Sequence, residues 1–179
     1  MKNRALTWIL AAGIMTAGTS GGAGSSPDST TTKHLTVATS VIPAAVAPGA
    51  RVSLVVEVTP KPTMHVYAPG QKDFIPVSLT LAASDAIKAE TAQFPVAEKL
   101  EVKDLGETHL VYTKPFRIIQ DVTIAKSALV TRSSTISVKG TLKYQACDAS
   151  ICYAPVSVPV TWTLALQLHG DVPGGVKKR

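Results

Sequence analysis

The two cysteines have the most specific chemistry in this chain, and they lie close together in the sequence. Cys147 and Cys152 are separated by four residues in the segment KYQACDASICYAP. Polar and apolar residues alternate in 141–144, before the pair, and in 156–164, after it, which predicts a β-strand on each side. If these strands pair as a hairpin, the Cα atoms of the cysteines can approach to the roughly 5.5 Å that a disulfide requires.

The short loop between the cysteines bears on what a bond between them would do. A disulfide stabilises a protein mainly by restricting its unfolded chain, and closing a loop of about six residues contributes roughly 2 kcal/mol, against about 5 kcal/mol for a loop of about 100. A domain of the length predicted here also folds without a cross-link. Spacing alone leaves two interpretations open, a redox-active pair and a structural clip, since small secreted domains also use clips.

The residues beside the cysteines give little activation to a thiolate. Asp148 disfavours an anion on Cys147, and Lys143 is the nearest cation in the sequence. We therefore expect the pair to receive electrons from an activated partner rather than to attack another protein unaided. Asp148 is predicted to form a turn and to accept a hydrogen bond from a nearby backbone amide. Tyr144 and Tyr153 flank the pair and are expected to act there through packing, not direct chemistry.

The elements that must position the cysteines are β-strands, because hydrophobic spacing of period two dominates the chain. Besides the two strands around the cysteines, strands are predicted at 34–41, 52–58, 77–81, 116–119 and 135–138. Turn signals between them include Pro48-Gly49, Pro69-Gly70, Leu105-Gly106 and Lys139-Gly140. One segment, 82–92, fits either a short helix or a loop with one helical turn. Seven or more strands at this spacing predict an antiparallel β-sandwich, with Pro159 at an edge or a bulge.

The composition of the two ends predicts an exported protein with one domain. A basic start precedes the apolar stretch Ala5 to Ala17, which is too short to cross a bilayer as a stable helix and is typical of a signal peptide. An uncleaved N-terminal anchor is the alternative. The predicted organisation is a signal peptide at 1–24, a flexible tether at 25–32, the domain at 33–169 and a disordered basic tail at 170–179.

Charge and residue spacing weigh against several classes of function. The formal net charge is +6, but five of the 18 basic residues lie in the predicted leader and tail, and the others form no stripe, so no nucleic-acid partner is predicted. The four histidines lack ligand spacing, so no metal is predicted. The strongest metal hypothesis is a soft copper or zinc site that combines the cysteines with His65 or His109. No nucleophile elbow or carboxylate pair supports hydrolysis.

The segment around the cysteines resembles the N-terminal periplasmic domain of the DsbD thiol:disulfide interchange family. The most specific block is Tyr144-Gln145-Ala146-Cys147-Asp148 followed by Cys152-Tyr153-Ala154-Pro155. His65-Val66-Tyr67-Ala68 forms a second block, and Leu105-Gly106-Glu107 leading to Val111-Tyr112 forms a third. With the strands around them, the blocks span about 52–164, which is nearly the whole predicted domain.

This resemblance implies an immunoglobulin-like β-sandwich that carries electrons as a Cys147–Cys152 disulfide or dithiol, without a cofactor. The donor would be a thioredoxin-like protein or domain, supplied by a separate membrane electron transporter. The acceptor would be a periplasmic disulfide isomerase or another oxidoreductase. The chain would then be one component of a protein-disulfide reductase, or a domain adapted to a different redox task. The competing hypothesis is a non-catalytic, secreted β-sandwich binding module with a structural disulfide.

The resemblance also implies roles for individual residues. Cys152 would form the mixed disulfide with a partner, and Cys147 would resolve it. The residues expected to line the site are Tyr67, Tyr144, Asp148 and Tyr153. A cap loop that shields the disulfide would consist of Lys103, Asp104, Leu105, Gly106 and Glu107. Its tip carries Leu105 where well-known family members have an aromatic residue.

Overall fold

The computed structural model describes residues 28–102, 106–127 and 130–167. The predicted signal peptide, the first part of the predicted tether and the predicted tail lie outside the described residues, as do three positions of the predicted cap loop, 103–105. In the described ranges, no helix has both the length and the apolar character needed to span a membrane.

The described chain is built almost entirely from β-strands. They are β1 (Asp28–Thr31), β2 (Leu35–Ile42), β3 (Ala45–Val46), β4 (Arg51–Pro60), β5 (His65–Tyr67), β6 (Ser78–Leu81), β7 (Ile87–Ala89), β8 (Glu98–Val102), β9 (Glu107–Tyr112), β10 (Phe116–Ile124), β11 (Thr135–Tyr144), β12 (Ala146–Cys147) and β13 (Val156–Leu166). A single 3₁₀ turn, Val130–Arg132, precedes β11.

Two of the sheets form a sandwich around the main apolar core. One has the strand order β1-β2-β4-β10-β7 and the other β3-β13-β11-β6, with antiparallel pairing throughout except between β3 and β13. The Trp162 indole of β13 is 1% exposed and donates a hydrogen bond of 3.0 Å to the Val55 carbonyl of β4 in the facing sheet. This all-β, immunoglobulin-like antiparallel sandwich confirms the predicted fold class.

Alternation of side chains explains how the long strands form the two layers. In β10 and β13, buried residues alternate with more exposed ones along almost the whole strand, as the period-two pattern predicts. In β4 the pattern is interrupted because Leu54, Val55 and Val56 are all buried. That strand lies at the centre of its sheet and keeps an unbroken register with both neighbours, so it contains no bulge. On the face that Ser53, Val55 and Glu57 share, Val55 is the one residue of the strand that is buried.

The structure differs from the sequence prediction at Lys139-Gly140, where a turn was expected. β11 runs through both residues, and Gly140 pairs with Val160 of β13 and Leu81 of β6. A Cβ atom on Gly140 would lie 2.9 Å from the Thr80 carbonyl oxygen and 3.2 Å from a Trp162 ring carbon. Glycine is therefore present because β6 and β13 approach closely on either side. From the sequence alone, a glycine required by close packing looks the same as a glycine in a turn.

The structure decides two alternatives that the sequence left open, the conformation of 82–92 and the position of Pro159. The 82–92 segment forms no helix, and instead contains β7, which pairs with the edge of β10. Pro159 lies opposite Thr141 of β11, while β3 reaches β13 only at Ala165 and Leu166, so in the described residues Pro159 has a neighbouring strand on one side. This is the predicted edge position.

The described end of the predicted tether is attached to the sandwich. All four residues of β1 are exposed, yet they pair in register with β2 and satisfy backbone groups along its edge. The Thr32 hydroxyl then lies 2.8 Å from the Tyr144 hydroxyl, which joins the start of the domain to the end of β11. Residues 28–32 of the predicted tether are thus joined to the sandwich by strand pairing and by this contact.

A third, smaller sheet has the order β12-β5-β9-β8 and lies at the end of β11 that leads to the cysteines. One residue, Gln145, separates β11 from β12. Its side chain accepts a hydrogen bond from the Ile75 amide and donates one to the Tyr153 carbonyl, so it ties together the segments on either side. None of its four strands was predicted. β5 and β12 have two or three residues, too few to show a period, β8 has no fully buried residue, and burial in β9 does not alternate strictly.

Candidate active site

Cys147 and Cys152 form the predicted disulfide, with a Cα–Cα distance of 4.1 Å. Cys147 ends β12 and faces Cys152 in an isolated antiparallel bridge. The backbone hydrogen bonds lie on either side of this pair, from Asp148 N to the Ile151 carbonyl and from Tyr153 N to the Ala146 carbonyl, each 2.9 Å long. The cysteines thus occupy a non-hydrogen-bonded position, where opposing side chains of antiparallel strands come closest.

The two sulfurs differ in their access to other proteins. Cys147 is 1% exposed and is buried with Tyr67 and Val111 in a small apolar cluster of its own. Cys152, by contrast, is exposed at the surface. An incoming thiolate therefore has access to Cys152, and Cys147 is positioned to be the departing sulfur.

Asp148 holds the loop between the cysteines in shape. Its Oδ1 accepts hydrogen bonds from the amides of Ser150 and Ile151, both 2.8 Å long, and its Oδ2 accepts one of 2.8 Å from the Tyr153 hydroxyl. The two backbone amides, with the Tyr153 hydroxyl, lower the pKa of the Asp148 carboxyl. The predicted turn-forming role of Asp148 is confirmed by these contacts. The hydrogen bond from the Tyr153 hydroxyl to Asp148 also raises the pKa of Tyr153.

Tyr67 is the side chain that contacts both sulfurs. Its hydroxyl lies 3.2 Å from Cys147 Sγ and 3.5 Å from Cys152 Sγ, and the residue is 1% exposed. The ring stacks on Phe74 with a centroid distance of 4.2 Å and an angle of 3° between the planes. Burial, with a smaller contribution from Glu107, raises the pKa of Tyr67, so the phenol stays protonated and donates a hydrogen bond to sulfur.

A cavity of about 600 Å³ lies beside the disulfide. Besides both cysteines and Tyr67, its walls include Phe74, Leu100, His65 and His109. A groove of about 720 Å³ lies elsewhere, between 93–98 and the start of β10. No cysteine or methionine is among the residues that line that groove, so we place the candidate site at the cavity beside the cysteines.

Comparison with known proteins gives a family for this arrangement. The model of the N-terminal domain of the thiol:disulfide interchange protein DsbD matches residues 32–162. The chain belongs to this family. The match includes both cysteines, Tyr67, the strands from β2 to β12 and the first seven residues of β13.

Solved structures resemble this DsbD N-terminal domain at low sequence identity. One is the N-terminal periplasmic domain of ScsB from Proteus mirabilis, with 13% identity, a TM-score of 0.48 and coverage of 75% of this chain. This chain spans 47% of that one, about half its length. The reduced DsbD N-terminal domain of Neisseria meningitidis has 18% identity and a TM-score of 0.41, covering 63% of this chain and 82% of its own. No curated protein sequence matches the chain.

Of the predicted lining residues, Tyr144 and Tyr153 are not among those that line the cavity beside the disulfide. The Tyr144 side chain is 0% exposed within the main core, and its hydroxyl contacts Thr32 at 2.8 Å, not a sulfur. Tyr153 packs its ring against His34 and beneath the Lys33 ammonium. Tyr153 therefore reaches the DsbD-like site through its hydrogen bond to Asp148, whereas Tyr67 borders the sulfurs directly.

The predicted cap loop connects two strands that form one wall of the cavity. Gly106 has a φ of +66°, the left-handed conformation that glycine adopts most readily, so the predicted turn at this position is present. Glu107 begins β9, and its carboxylate lies 3.0 Å from His109 Nε2. Lys103, Asp104 and Leu105 lie outside the described residues.

Phe74 is a residue of the cavity wall that the sequence does not predict, and His65 and His109 are considered from the sequence only as ligands in the alternative metal site. Phe74 is an isolated aromatic residue in a polar loop, which is the signal that marks it in the sequence. His65 precedes Tyr67 by two positions in a strand, and this spacing places both side chains on one face. His109 packs edge-on against Phe74 and Tyr67, contacts that depend on the pairing of β9 with β5.

Proposed function

We propose that this domain carries two electrons at a time between proteins by thiol–disulfide exchange at Cys147 and Cys152. The observation that carries the proposal is the asymmetry of the pair, since a buried sulfur is bonded to an exposed one beside an apolar cavity. Membership in the DsbD N-terminal domain family supports the same chemistry. The exchange needs no cofactor, because sulfur supplies both the nucleophile and the leaving group.

The domain is reduced by a partner that carries a dithiol. A thiolate of the partner attacks the Sγ of Cys152, a mixed disulfide forms, and Cys147 leaves as a thiolate that takes up a proton. The partner's second thiolate then attacks the partner's first sulfur, which is bonded to Cys152 in the mixed disulfide. This forms the partner's disulfide and releases Cys152. Two electrons have moved, so the domain holds a dithiol and the partner a disulfide.

Oxidation of the domain repeats these steps with an acceptor. The Cys152 thiolate attacks the acceptor's disulfide and forms a mixed disulfide, and one acceptor thiolate leaves. Cys147 then attacks Cys152, which restores the Cys147–Cys152 bond and releases the acceptor as a dithiol. Throughout, the Tyr67 hydroxyl is placed to donate a hydrogen bond to the sulfur that carries negative charge.

The partners follow from this chemistry and from the family. The donor is a thioredoxin-like protein or domain that a membrane electron transporter supplies. The acceptor is a periplasmic disulfide isomerase or a related oxidoreductase. The domain acts after export, in the periplasm, where such disulfides persist.

The test combines reduction with covalent trapping. Reduced thioredoxin should open the Cys147–Cys152 bond of the oxidised domain, and the reduction potential should lie above the roughly −300 mV of structural disulfides. In an exporting cell, a Cys147→Ala variant should accumulate mixed disulfides on the exposed Cys152, and mass spectrometry then identifies the partners.

The matched control is Cys152→Ala, which leaves a buried thiol at Cys147 that should trap nothing. A bond that resists thioredoxin, together with an empty trap in the Cys147→Ala variant, would show that the disulfide is a structural clip.

A further inference from the structure

His65 lies directly opposite Cys147 in the small sheet. The two residues are paired in the register of β5 with β12. Opposing residues of antiparallel strands project to the same face, with Cβ atoms about 4.5–5.5 Å apart. Tyr67, two positions along β5, shares that face, and its hydroxyl contacts Cys147 Sγ at 3.2 Å. The His65 ring therefore lies on the face of the sheet that carries the sulfurs, in the wall of the cavity.

The His65 imidazole is available to accept a proton. It is half-buried and packs edge-on against the Tyr67 ring at 5.6 Å, and it makes no hydrogen bond to a described side chain or backbone group. Burial, and then the proximity of His109, lower the pKa of His65, against a smaller opposing effect of Asp148. Near neutral pH the ring is therefore uncharged, with a free nitrogen lone pair.

The other bases around the cavity are engaged or distant from Cys147. Both carboxylate oxygens of Asp148 already accept hydrogen bonds within the cysteine loop. His109 Nε2 is held by the Glu107 carboxylate at 3.0 Å. Glu101 is exposed on β8, which pairs with β9 and not with the strand of Cys147. Among the described residues that line the cavity, His65 is thus the base best placed for this cysteine.

Cys147 needs such a base because its thiol is buried. At 1% exposure, the thiol has little water around it to take its proton, yet the thiolate is the form that attacks. We propose that His65 accepts the proton of the Cys147 thiol as Cys147 attacks the mixed disulfide on Cys152. This role rests on the proposed function of the cysteine pair, and it concerns the resolving step of that reaction.

The step balances in protons and electrons. The Cys147 S–H bond breaks, its proton moves to the imidazole, the Cys147–Cys152 bond forms, and the bond from Cys152 to the acceptor breaks. The acceptor sulfur leaves as a thiolate and then takes the proton from the imidazolium. During reduction of the domain the transfer runs in reverse: the imidazole takes the proton of the attacking partner thiol, and the resulting imidazolium protonates the Cys147 thiolate that leaves. Asp148 stabilises the transient imidazolium through its negative charge.

The pH dependence of the resolving step distinguishes this role from a structural one. The titratable groups around His65 are Tyr67 on its own strand, His109 on β9, Glu101 on β8, and Cys147, Asp148 and Cys152 on the cysteine hairpin; Glu107 acts through His109. With His65 as the base, the rate of the resolving step should not change as pH rises from just above the pKa of His65 to the pH at which the Cys147 thiol itself ionises. Without it, the rate should rise tenfold for each pH unit over the same range.

The experiment uses the reduced domain and the small disulfide dithiodipyridine, followed by stopped-flow absorbance. The first release of thiopyridone reports attack by Cys152, and the second reports displacement by Cys147. A His65→Gln variant should keep the first rate within about twofold and slow the second about a hundredfold near neutral pH, the lower end of what a positioned general base contributes. The rate of His65→Ala should be restored in part by added imidazole, which the cavity can admit.

The matched control is His109→Gln, which makes the same change in the same cavity but away from the Cys147 register position. A second rate within about threefold of wild type in His65→Gln would overturn the proposal, and so would an equal loss in His109→Gln. Failure of the proposed function would be seen separately, as a wild-type domain that reduced thioredoxin does not reduce. The dithiodipyridine assay still reports on His65 in that case, because it needs no protein partner.

Discussion

A Tyr67→Phe substitution removes one hydroxyl from the site and keeps the ring that stacks on Phe74. The hydroxyl lies 3.2 and 3.5 Å from the two sulfurs, so in the reduced domain it is placed to donate to a thiolate. A hydrogen bond to a charged group contributes about 1.5–3 kcal/mol, against about 0.5–1.5 kcal/mol for a neutral one, so the thiolate loses about 1.4 kcal/mol more than the thiol. This difference corresponds to a tenfold fall in the thiolate fraction at a fixed pH below the thiol titration.

The rate of exchange should fall less than the thiolate fraction. A more basic thiolate is a better nucleophile, and a tenfold rise in basicity raises its intrinsic rate about threefold. The first phase of the dithiodipyridine reaction should therefore slow about threefold below the thiol titration and become about threefold faster above it. This crossover comes from a change in thiolate stability, and a general disturbance of the site would not produce it.

The control for this prediction is Tyr144→Phe, which changes another buried tyrosine, at the end of β11. Its hydroxyl contacts Thr32 and no sulfur, so its loss should cost about 1 kcal/mol in the free energy of unfolding and leave both phases unchanged. Equal pH–rate profiles for wild type and Tyr67→Phe would refute the role of the Tyr67 hydroxyl. A loss of thermal stability without the crossover would assign Tyr67 to packing alone.

Two further predictions concern stability. The pKa of Asp148 is lowered in the fold, chiefly by the Ser150 and Ile151 amides, so its stabilising effect is fully present above the ordinary carboxyl value of 3.8 and is lost as pH falls through the folded value. The difference in thermal midpoint between wild type and Asp148→Asn should therefore shrink on acidification, and a constant difference would contradict this. Gly140→Ala should lower the free energy of unfolding in urea by about 1–3 kcal/mol, because the added Cβ would lie 2.9 Å from the Thr80 carbonyl and 3.2 Å from Trp162. A change below about 0.5 kcal/mol would mean that the sandwich relaxes around the methyl group.

The long strands and the disulfide were predictable from the sequence because both depend on local spacing. Alternation over most of β2, β10 and β13 marks one buried face, whichever strands become neighbours. The cysteines have only four residues between them and lie between two strands, which already limits how far apart the sulfurs can lie. Asp148 was interpretable for the same reason, since its hydrogen-bond partners lie two, three and five residues away.

The surroundings of the sulfurs depend on contacts between residues far apart in the sequence. Tyr67 reaches Cys147 across 80 residues, and His65 faces it through the register of two very short strands. Those strands are too short to carry a period, and Gly140 gives the same sequence signal for close packing as for a turn. The sequence by itself determined that two sulfurs would meet on a β scaffold. The tertiary structure decided which sulfur is buried and which phenol and imidazole lie beside it, because burial and cross-strand pairing exist only once distant segments have come together.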